Sequence, residues 1–449
     1  MDLSEEQQNA FDKYIQRKNI FITGPGGTGK STLIKQLQLD AKRKMLNIQV
    51  CALTGCAAVL LDCKAKTIHS WSGIGLGNGS ISFNVKRVAT NNYKKKSWRN
   101  VDILVIDEVS MMSEKIFEML DAIGKATRQN NRPFGGMQII FLGDFYQLPP
   151  VGNRDEPETM HYCFESPLWI ETFEKENIVQ LTKIFRQTDE VYTKILNQVR
   201  EGRMKKSSNE LLMSLVGKQI EEGALIQPTK LFPIRIKVDA INAAKMSELD
   251  TPEFEFKLKY LKNLPFPDKD KYKDKDTDHQ VPKYSPEQID NELKNIQNSL
   301  LCADIVKLKV GAQVMCIVNI ELPGGDMICN GSQGVIIRFN DSKLPVVKYK
   351  NGHEMAMNYH VWESGSIPGI GVSQVPLILA WAITIHKSQG ATMDTAEIDV
   401  GSGVFECGQT YVALSRVKSL EGLYLTSFDA SKILINKKVR EFYDGLTQH

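Results

Sequence analysis

The sequence predicts an α/β protein built on mostly parallel sheet and interrupted late in the chain by a small β-barrel or sandwich. Three observations predict it. Short apolar runs alternate with helical patterns over residues 19–142, the mark of strand–helix–strand units. A glycine-rich turn, Gly24 to Thr32, joins the first of these runs to the first helix. From Leu308 to Trp362 the pattern changes to short β-rich runs divided by turn signals, and the α/β pattern resumes beyond Pro376.

Asn19 to Thr23 (NIFIT) reads as a buried strand running into glycines, and Ser31 to Leu39 as the helix after them. Val50 to Leu53, Val101 to Ile106 and Met137 to Leu142 give three more strands, with a helix over Ser113 to Ile123. Gly73 to Asn100, with Lys86, Arg87, Lys94, Lys95, Lys96 and Arg99, is a polar basic insertion that reads equally well as a solvated loop. After Pro149-Pro150 the pattern loosens. Leu181 to Gly202 reads as a strand end and a helix, and Leu231 to Met246 as a strand–helix pair.

Between Asp250 and Asn298 lysine, aspartate and proline dominate, and Lys269 to Asp278 is nearly all charged. Such a stretch has too few apolar residues for a core, so a partly disordered insertion is expected. The runs Ala312 to Val318, Gly334 to Phe339 and Pro345 to Tyr349 follow, separated by Pro323-Gly324-Gly325, Asn330-Gly331 and Asn351-Gly352. No internal repeat is visible.

At 449 residues, 42% hydrophobic and 24% charged, the chain has the composition of a globular protein that can bury a core. Disorder throughout and a small disulfide scaffold are excluded. The net charge of +3 is too mild to point to nucleic acid by itself. None of the eight cysteines form a CxxC pair, so they read as reduced, buried thiols rather than a zinc ribbon. The longest apolar stretch, Val375 to Ile385, falls well short of the ~20 residues a membrane span needs. The opening Met-Asp-Leu-Ser-Glu-Glu lacks the basic start and apolar core of a secretory signal, and its acidity argues against a mitochondrial leader.

Gly24 to Thr32 reads GPGGTGKST and fits GxxxxGK[ST] between a strand and a helix. Glycines let the backbone curl so that amide N–H groups face phosphate oxygens, and the helix opening behind them adds its dipole. Gly24, Pro25, Gly26, Gly27, Thr28 and Gly29, with Lys30, Ser31 and Thr32, thus form a candidate cradle for ATP. Lys30 offers charge to the β and γ phosphates, and Ser31 a hydroxyl to Mg²⁺. Asp107 and Glu108 end the run VDILVI, where ligands bind in parallel sheets. Asp107 can hold Mg²⁺ through water, and Glu108 can polarise the attacking water. After MQIIFL come Asp144 and Gln147, the latter able to sense the γ-phosphate.

Eight segments in order then carry a resemblance: GPGGTGKST, TGCAA (54–58), TIHS (67–70), IDEVSMM (106–112), GDFYQLPPV (143–151), LTKIFRQ (181–187), AITIHKSQG (382–390) and YVALSRV (411–417). They resemble the motifs of superfamily-one DNA helicases, and most of all the Pif family, the relatives of RecD that move 5′ to 3′. DEVYTKILNQVREG (189–202) resembles the Pif-family signature, and the likeness runs from Leu3 to about Phe428 except near 250–300.

The resemblance implies two RecA-like P-loop NTPase domains, a wedge insertion at about 73–100 in the first and a Src-homology-three (SH3)-like β-barrel in the second. The corresponding segments are 1–165, 166–249, a charged insertion 250–304, the barrel 305–374, and 375–449. It implies that Gln7 in LSEEQ reads adenine and that Gly390 borders the nucleotide. Arg186 and Arg416 would reach the γ-phosphate from the second domain. Thr54, His69, Phe145, His386 and Lys387 would face single-stranded DNA, whereas Trp71 and Trp381 read better as core. One departure is visible: Pro233-Ile234 stands where the family carries Pro-Thr, so a hydroxyl contact to the DNA backbone is expected to be missing.

The expected activity is ATP-dependent 5′-to-3′ unwinding with Mg²⁺. Its partners would be single-stranded DNA and forked or tailed duplexes, with G-quadruplexes and R-loops as further substrates. Replication, repair, recombination and telomere maintenance are the roles the resemblance implies, for a chain acting as a monomer and without a membrane. The adenine motif at Leu3 resembles a compact bacterial or viral form. Location is accordingly intracellular: bacterial cytoplasm, nucleus or virus-infected cell. Two other readings stand beside this one: a RecD-like or relaxase-associated subunit of a larger complex, and a non-catalytic DNA-binding scaffold with a relic P-loop. The second conflicts with six intact candidate catalytic residues, Lys30, Asp107, Glu108, Gln147, Arg186 and Arg416.

Overall fold

A computed structural model describes residues 3–447 apart from 62, 154, 221–225, 265–283, 323–326, 365–366 and 368. Ser4 starts α1 (Glu5–Ile15) with a capping box: its hydroxyl accepts from the Gln7 amide, and the Gln7 side chain accepts from the Ser4 N–H. β1 (Ile20–Thr23) is buried along its length and ends at the glycine loop. α2 (Lys30–Arg43) runs back over the sheet on Leu33, Ile34, Leu37 and Ala41, one face of a 3.6-residue period.

β2 (Ile48–Ala52), α3 (Gly55–Leu60), β3 (Lys66–Thr67), α4 (Ile68–Ser72), α5 (Ile81–Thr90), α6 (Asn92–Asn100), β4 (Ile103–Asp107), α7 (Glu114–Arg128), β5 (Gln138–Gly143), α8 (Leu168–Thr172) and β6 (Ile178–Gln180) complete the first unit. Its six strands are parallel, in the order β3-β2-β4-β5-β1-β6. β6 pairs with β1, so this unit extends past the boundary expected at 165. A three-residue strand leaves no readable alternation in the sequence.

The basic insertion is helical rather than a loop. α5 and α6 bury Val88 and Trp98 against the first-domain core, and Trp98 lies 4.7 Å from Trp71. Arg128 holds this region by donating to the carbonyls of Trp98, Arg99, Val101 and Gly135. Arg128→Met keeps the stem and strips these acceptors of their donor. At about 1–3 kcal/mol for each acceptor left dry, and with water reaching part of the set, a loss of about 3 kcal/mol is expected. The midpoint of urea unfolding reads it; an unchanged midpoint would contradict it.

α9 (Glu190–Glu201), α10 (Lys206–Ser214), β7 (Thr229–Phe232) and α11 (Arg235–Glu248) open the second domain. The charged stretch then departs from expectation. β8 (Phe254–Lys257), β9 (Lys259–Lys262) and α12 (Pro286–Ser299) are regular elements, and Leu293 of α12 packs in a small core with Ile367, Ile370 and Val372. Their order comes from distant partners rather than from their own apolar content. Lys269 to Asp278 lies outside the described residues.

β10 (Ile305–Leu308) pairs with β8. Next come β11 (Gln313–Cys316), β12 (Ile320–Glu321), β13 (Met327–Ile328), β14 (Gln333–Phe339), β15 (Pro345–Tyr349), β16 (Glu354–Ala356), β17 (His360–Glu363), β18 (Ile370–Gln374) and β19 (Leu377–Leu379). An antiparallel sheet in the order β16-β15-β14-β11-β19 forms the body of the barrel, and β9 joins β18 and β17 beside it. β19 therefore belongs to the barrel sheet, beyond its expected end at 374.

β20 (Ala382–Thr384), β21 (Ala396–Val400), α13 (Gln409–Leu414), β22 (Leu423–Phe428) and α14 (Lys437–Thr447) follow, and the second parallel sheet runs β20-β7-β21-β22. α14 leaves this domain. Its Val439 and Tyr443 are buried in the aromatic core of the first, with Phe21, Phe145 and Trp169. The segment 375–449 is thus divided between both domains. Among the described residues no helix is long and apolar enough to cross a membrane.

Candidate nucleotide and nucleic-acid site

The loop after β1 is shaped by its glycines. Gly27 has φ +88°, and a Cβ there would come 2.5 Å from the Arg186 Cβ, so only glycine fits. α2 begins directly behind Gly29 with Lys30 in its first turn. The Lys30 ammonium donates to the carbonyls of Gly24 (2.6 Å) and Pro25 (2.9 Å). Burial lowers its affinity for the proton, against the opposing pull of Asp144, Glu108 and Asp107.

Asp107 ends β4 and receives the Glu108 amide at 2.9 Å. Burial, and then the neighbouring Glu108 charge, push its carboxyl up to about 7. Glu108 sits at φ +57°, a left-handed conformation that a side chain occupies only where its surroundings impose it. Its charge acts on Lys30, Asp107, Arg186 and Arg416 alike. Gln147 is buried in the turn after β5, its amide donating to the Asp144 carbonyl at 2.8 Å.

Arg416 arrives from across the cleft, but Arg186, expected from the second domain, stands on the segment after β6 that lies along the loop itself, where the Phe185 amide donates to the Gly27 carbonyl at 2.8 Å. A Cβ on Gly26 would lie 3.4 Å from Arg186 Nη1 and 3.5 Å from Arg416 Nη2. Arg416 is held by the Val412 carbonyl (2.8 Å) and the Ser415 hydroxyl (2.7 Å), and Arg186 by the Ser415 carbonyl (3.2 Å). Burial pushes both guanidinium groups down, and Arg416 is pushed further by Arg186. Two buried cations facing one loop create demand for an anion.

Gln7 lies against the same loop. Its Nε2 donates to the Thr28 carbonyl (3.1 Å) and its Oε1 accepts from the Ser4 amide (3.0 Å). A primary amide has two donors and two lone pairs, so one of each remains for the edge of a base. Ser31, Thr32, Asp107 and Glu108 line a cleft of about 730 Å³, shared with Thr54, His386, Lys387 and Gly390. Thr54 caps α3 through the Ala57 amide, while His386 and Lys387 are exposed. His69 lines a second cleft of about 1390 Å³ with Lys66 and Lys94, and burial holds its imidazole below the ordinary value.

Phe145 corrects the sequence reading. It is 1% exposed and locked among Tyr162, Phe164, Phe442 and Tyr443, so it has no face for a base. Ile234, at the departure from Pro-Thr, is exposed at the end of β7 and gives α11 no side-chain cap. Trp71 is buried as expected of core.

Several site residues escaped the sequence reading. The Tyr411 hydroxyl accepts from the Gly26 amide at 2.9 Å. Gln187 donates to the carbonyls of Ser415 and Val417, fastening one arginine segment to the other. Phe185, half exposed, flanks Gly29. All lie within the quoted segments, but only contacts across the cleft give them roles. Arg200 had a signal: a charge on the buried face of α9 beside Tyr192, Ile195, Leu196 and Val199.

Residues 2–210 match the family model described as PIF1-like helicase, and residues 292–339 that of the DNA helicase Pif1 2B domain. The ATP-dependent DNA helicase RRM3 of Saccharomyces cerevisiae is 30% identical over 528 residues, covering 99% of this chain and 68% of that protein. The chain spans about two thirds of the length of the curated relatives it matches. The crystal structure of Pif1 helicase from Candida albicans superposes with a TM-score of 0.74 at 31% identity, covering 100% of both chains. Pif1 helicase from Bacteroides in complex with ADP-AlF3 and single-stranded DNA superposes at 0.65 with 29% identity, covering 99% of this chain and 97% of that one.

Proposed function

The chain belongs to the PIF1-like helicase family, and on that premise we propose that it is an ATP-dependent DNA helicase that moves 5′ to 3′ on single-stranded DNA and unwinds tailed or forked duplexes. The observation that carries this reading is the approach of Arg416 to Gly26 from the opposite domain, meeting Arg186 on the segment that follows β6. A triphosphate lying along Gly24 to Thr32 would be gripped from both sides. Lys30 then neutralises the terminal phosphates, Glu108 polarises the attacking water, and Gln147 registers the γ-phosphate. Arg186 and Arg416 stabilise the charge that spreads in the transition state. Once the terminal phosphate leaves, the two arginines lose their shared anion and repel each other, so the domains part.

Mg²⁺ suits the donors present. Ser31 and Asp107 are hard oxygen ligands on one cleft, and a carboxyl raised by burial is one that a dication would ionise. The ion would supply charge neutralisation to the β and γ phosphates. Thr54, His386 and Lys387, on the cleft that also holds Asp107, would take the DNA backbone, with His69 further along. Without Phe145, base stacking has no assigned partner in this set.

Polarity is the finer part of the reading. Duplexes with a 5′ single-stranded tail should be unwound in the presence of ATP and Mg²⁺, and those with only a 3′ tail should not. A preference for the 3′ tail would overturn it.

A further inference from the structure

Asp144 follows β5 directly, is fully buried, and is gripped by both prongs of the Arg200 guanidinium at 2.8 Å each. Arg200 belongs to α9, whose apolar face sits in the core of the second domain. This ion pair therefore crosses from one domain to the other. Arg200 also lies over the rings of Tyr146 (4.6 Å) and Tyr443 (5.3 Å), which are stacked on each other.

Tyr443 comes from α14. Its hydroxyl is 2.6 Å from Thr23 Oγ1, accepts from the Phe145 amide at 3.1 Å and donates to Asp144 Oδ1 at 3.4 Å. The protons balance: Thr23 donates to Tyr443, which donates to the carboxylate. Thr23 and Gly143 are partners in the sheet. One hydroxyl thus spans the two strand ends from which the phosphate loop and the Gln147 turn depart.

We infer that Tyr443 and Arg200 are positioning residues for ATP hydrolysis: they fix the Gly143–Gln147 turn against the strand that delivers the phosphate loop, and carry its position into the second domain. The inference rests on the helicase reading above. A two-pronged guanidinium bond sets the plane of the Asp144 carboxylate. The Tyr146 amide (3.3 Å) bonds to that carboxylate and the Gln147 amide to the Asp144 carbonyl, so the turn follows it. Neither residue touches the bound nucleotide in this reading. Their effect should fall on turnover rather than on binding.

The test is steady-state, DNA-stimulated ATP hydrolysis by the full chain. Tyr443→Phe keeps the ring and removes only the hydroxyl. The expected result is a kcat lowered about tenfold with KM for ATP within about twofold. Arg200→Lys keeps the charge and loses the fork, and should show the same split. Thr23→Val removes the shared bond from its other end, so the double variant should be no worse than the weaker single. Tyr162→Phe is the control, since its ring packs on Phe145 but its buried hydroxyl has no hydrogen-bond partner among the described residues. It should turn over like the parent.

Parental kcat in Tyr443→Phe would overturn the inference. So would an equal loss in Tyr162→Phe, or strictly additive losses in the double variant. Should Tyr443→Phe fail to fold, Thr23→Val decides by the same criterion. A parent chain without DNA-stimulated hydrolysis would overturn the helicase reading instead.

Discussion

Arg416→Ala is expected to retain ATP binding and to lose turnover by about 10³–10⁵, the range over which arginine fingers act in phosphoryl transfer. The side chain is fully buried, held by Val412 and Ser415, and directed at Gly26. Its work begins when negative charge spreads over the transferring oxygens. Ground-state binding keeps Lys30, the loop amides and Arg186. The Val412 carbonyl and the Ser415 hydroxyl lose their donor, which costs stability, and loss of a cation disfavoured by burial and by Arg186 offsets part of that cost. Steady-state hydrolysis with single-stranded DNA, alongside binding of a fluorescent ATP analogue, separates the two effects. Unchanged turnover would remove Arg416 from the proposed mechanism.

Lys30→Ala should abolish DNA-stimulated hydrolysis, by about 10³ or more if one preorganised donor is worth about 10²–10³ and the site also loses its cation for the terminal phosphates. The ammonium stands among Asp107, Glu108 and Asp144, so its removal also leaves three carboxylates without their nearest loop cation. Affinity for the triphosphate should fall with turnover, unlike in the Arg416 variant. Circular dichroism should match the parent chain, since α2 is anchored by Leu33, Ile34 and Leu37 rather than by Lys30. Normal turnover would refute the site assignment.

What was legible in the sequence was local. The phosphate loop, the Asp107–Glu108 pair and the strands around them are spelled within a few residues, and the arginines sit in short ordered segments. The resemblance puts Phe145 on DNA, but a motif does not say whether a ring after a strand faces solvent or core; its neighbours Phe442 and Tyr443 lie some 300 positions away. β8 and β9 failed for a related reason. Their composition is charged, and their order is lent by β10 and β18. Tyr443 carries no role legible in the sequence, because only the placement of α14 on the first domain brings its hydroxyl to Asp144.

That placement of α14 bears on how the molecule is made. The aromatic core around Phe21, Phe145 and Trp169 waits for Val439 and Tyr443, which follow the whole second domain in chain order. The nascent nucleotide-binding lobe must therefore hold a greasy, half-finished face while that domain is being made. Chaperones have the time taken to translate it in which to find that face.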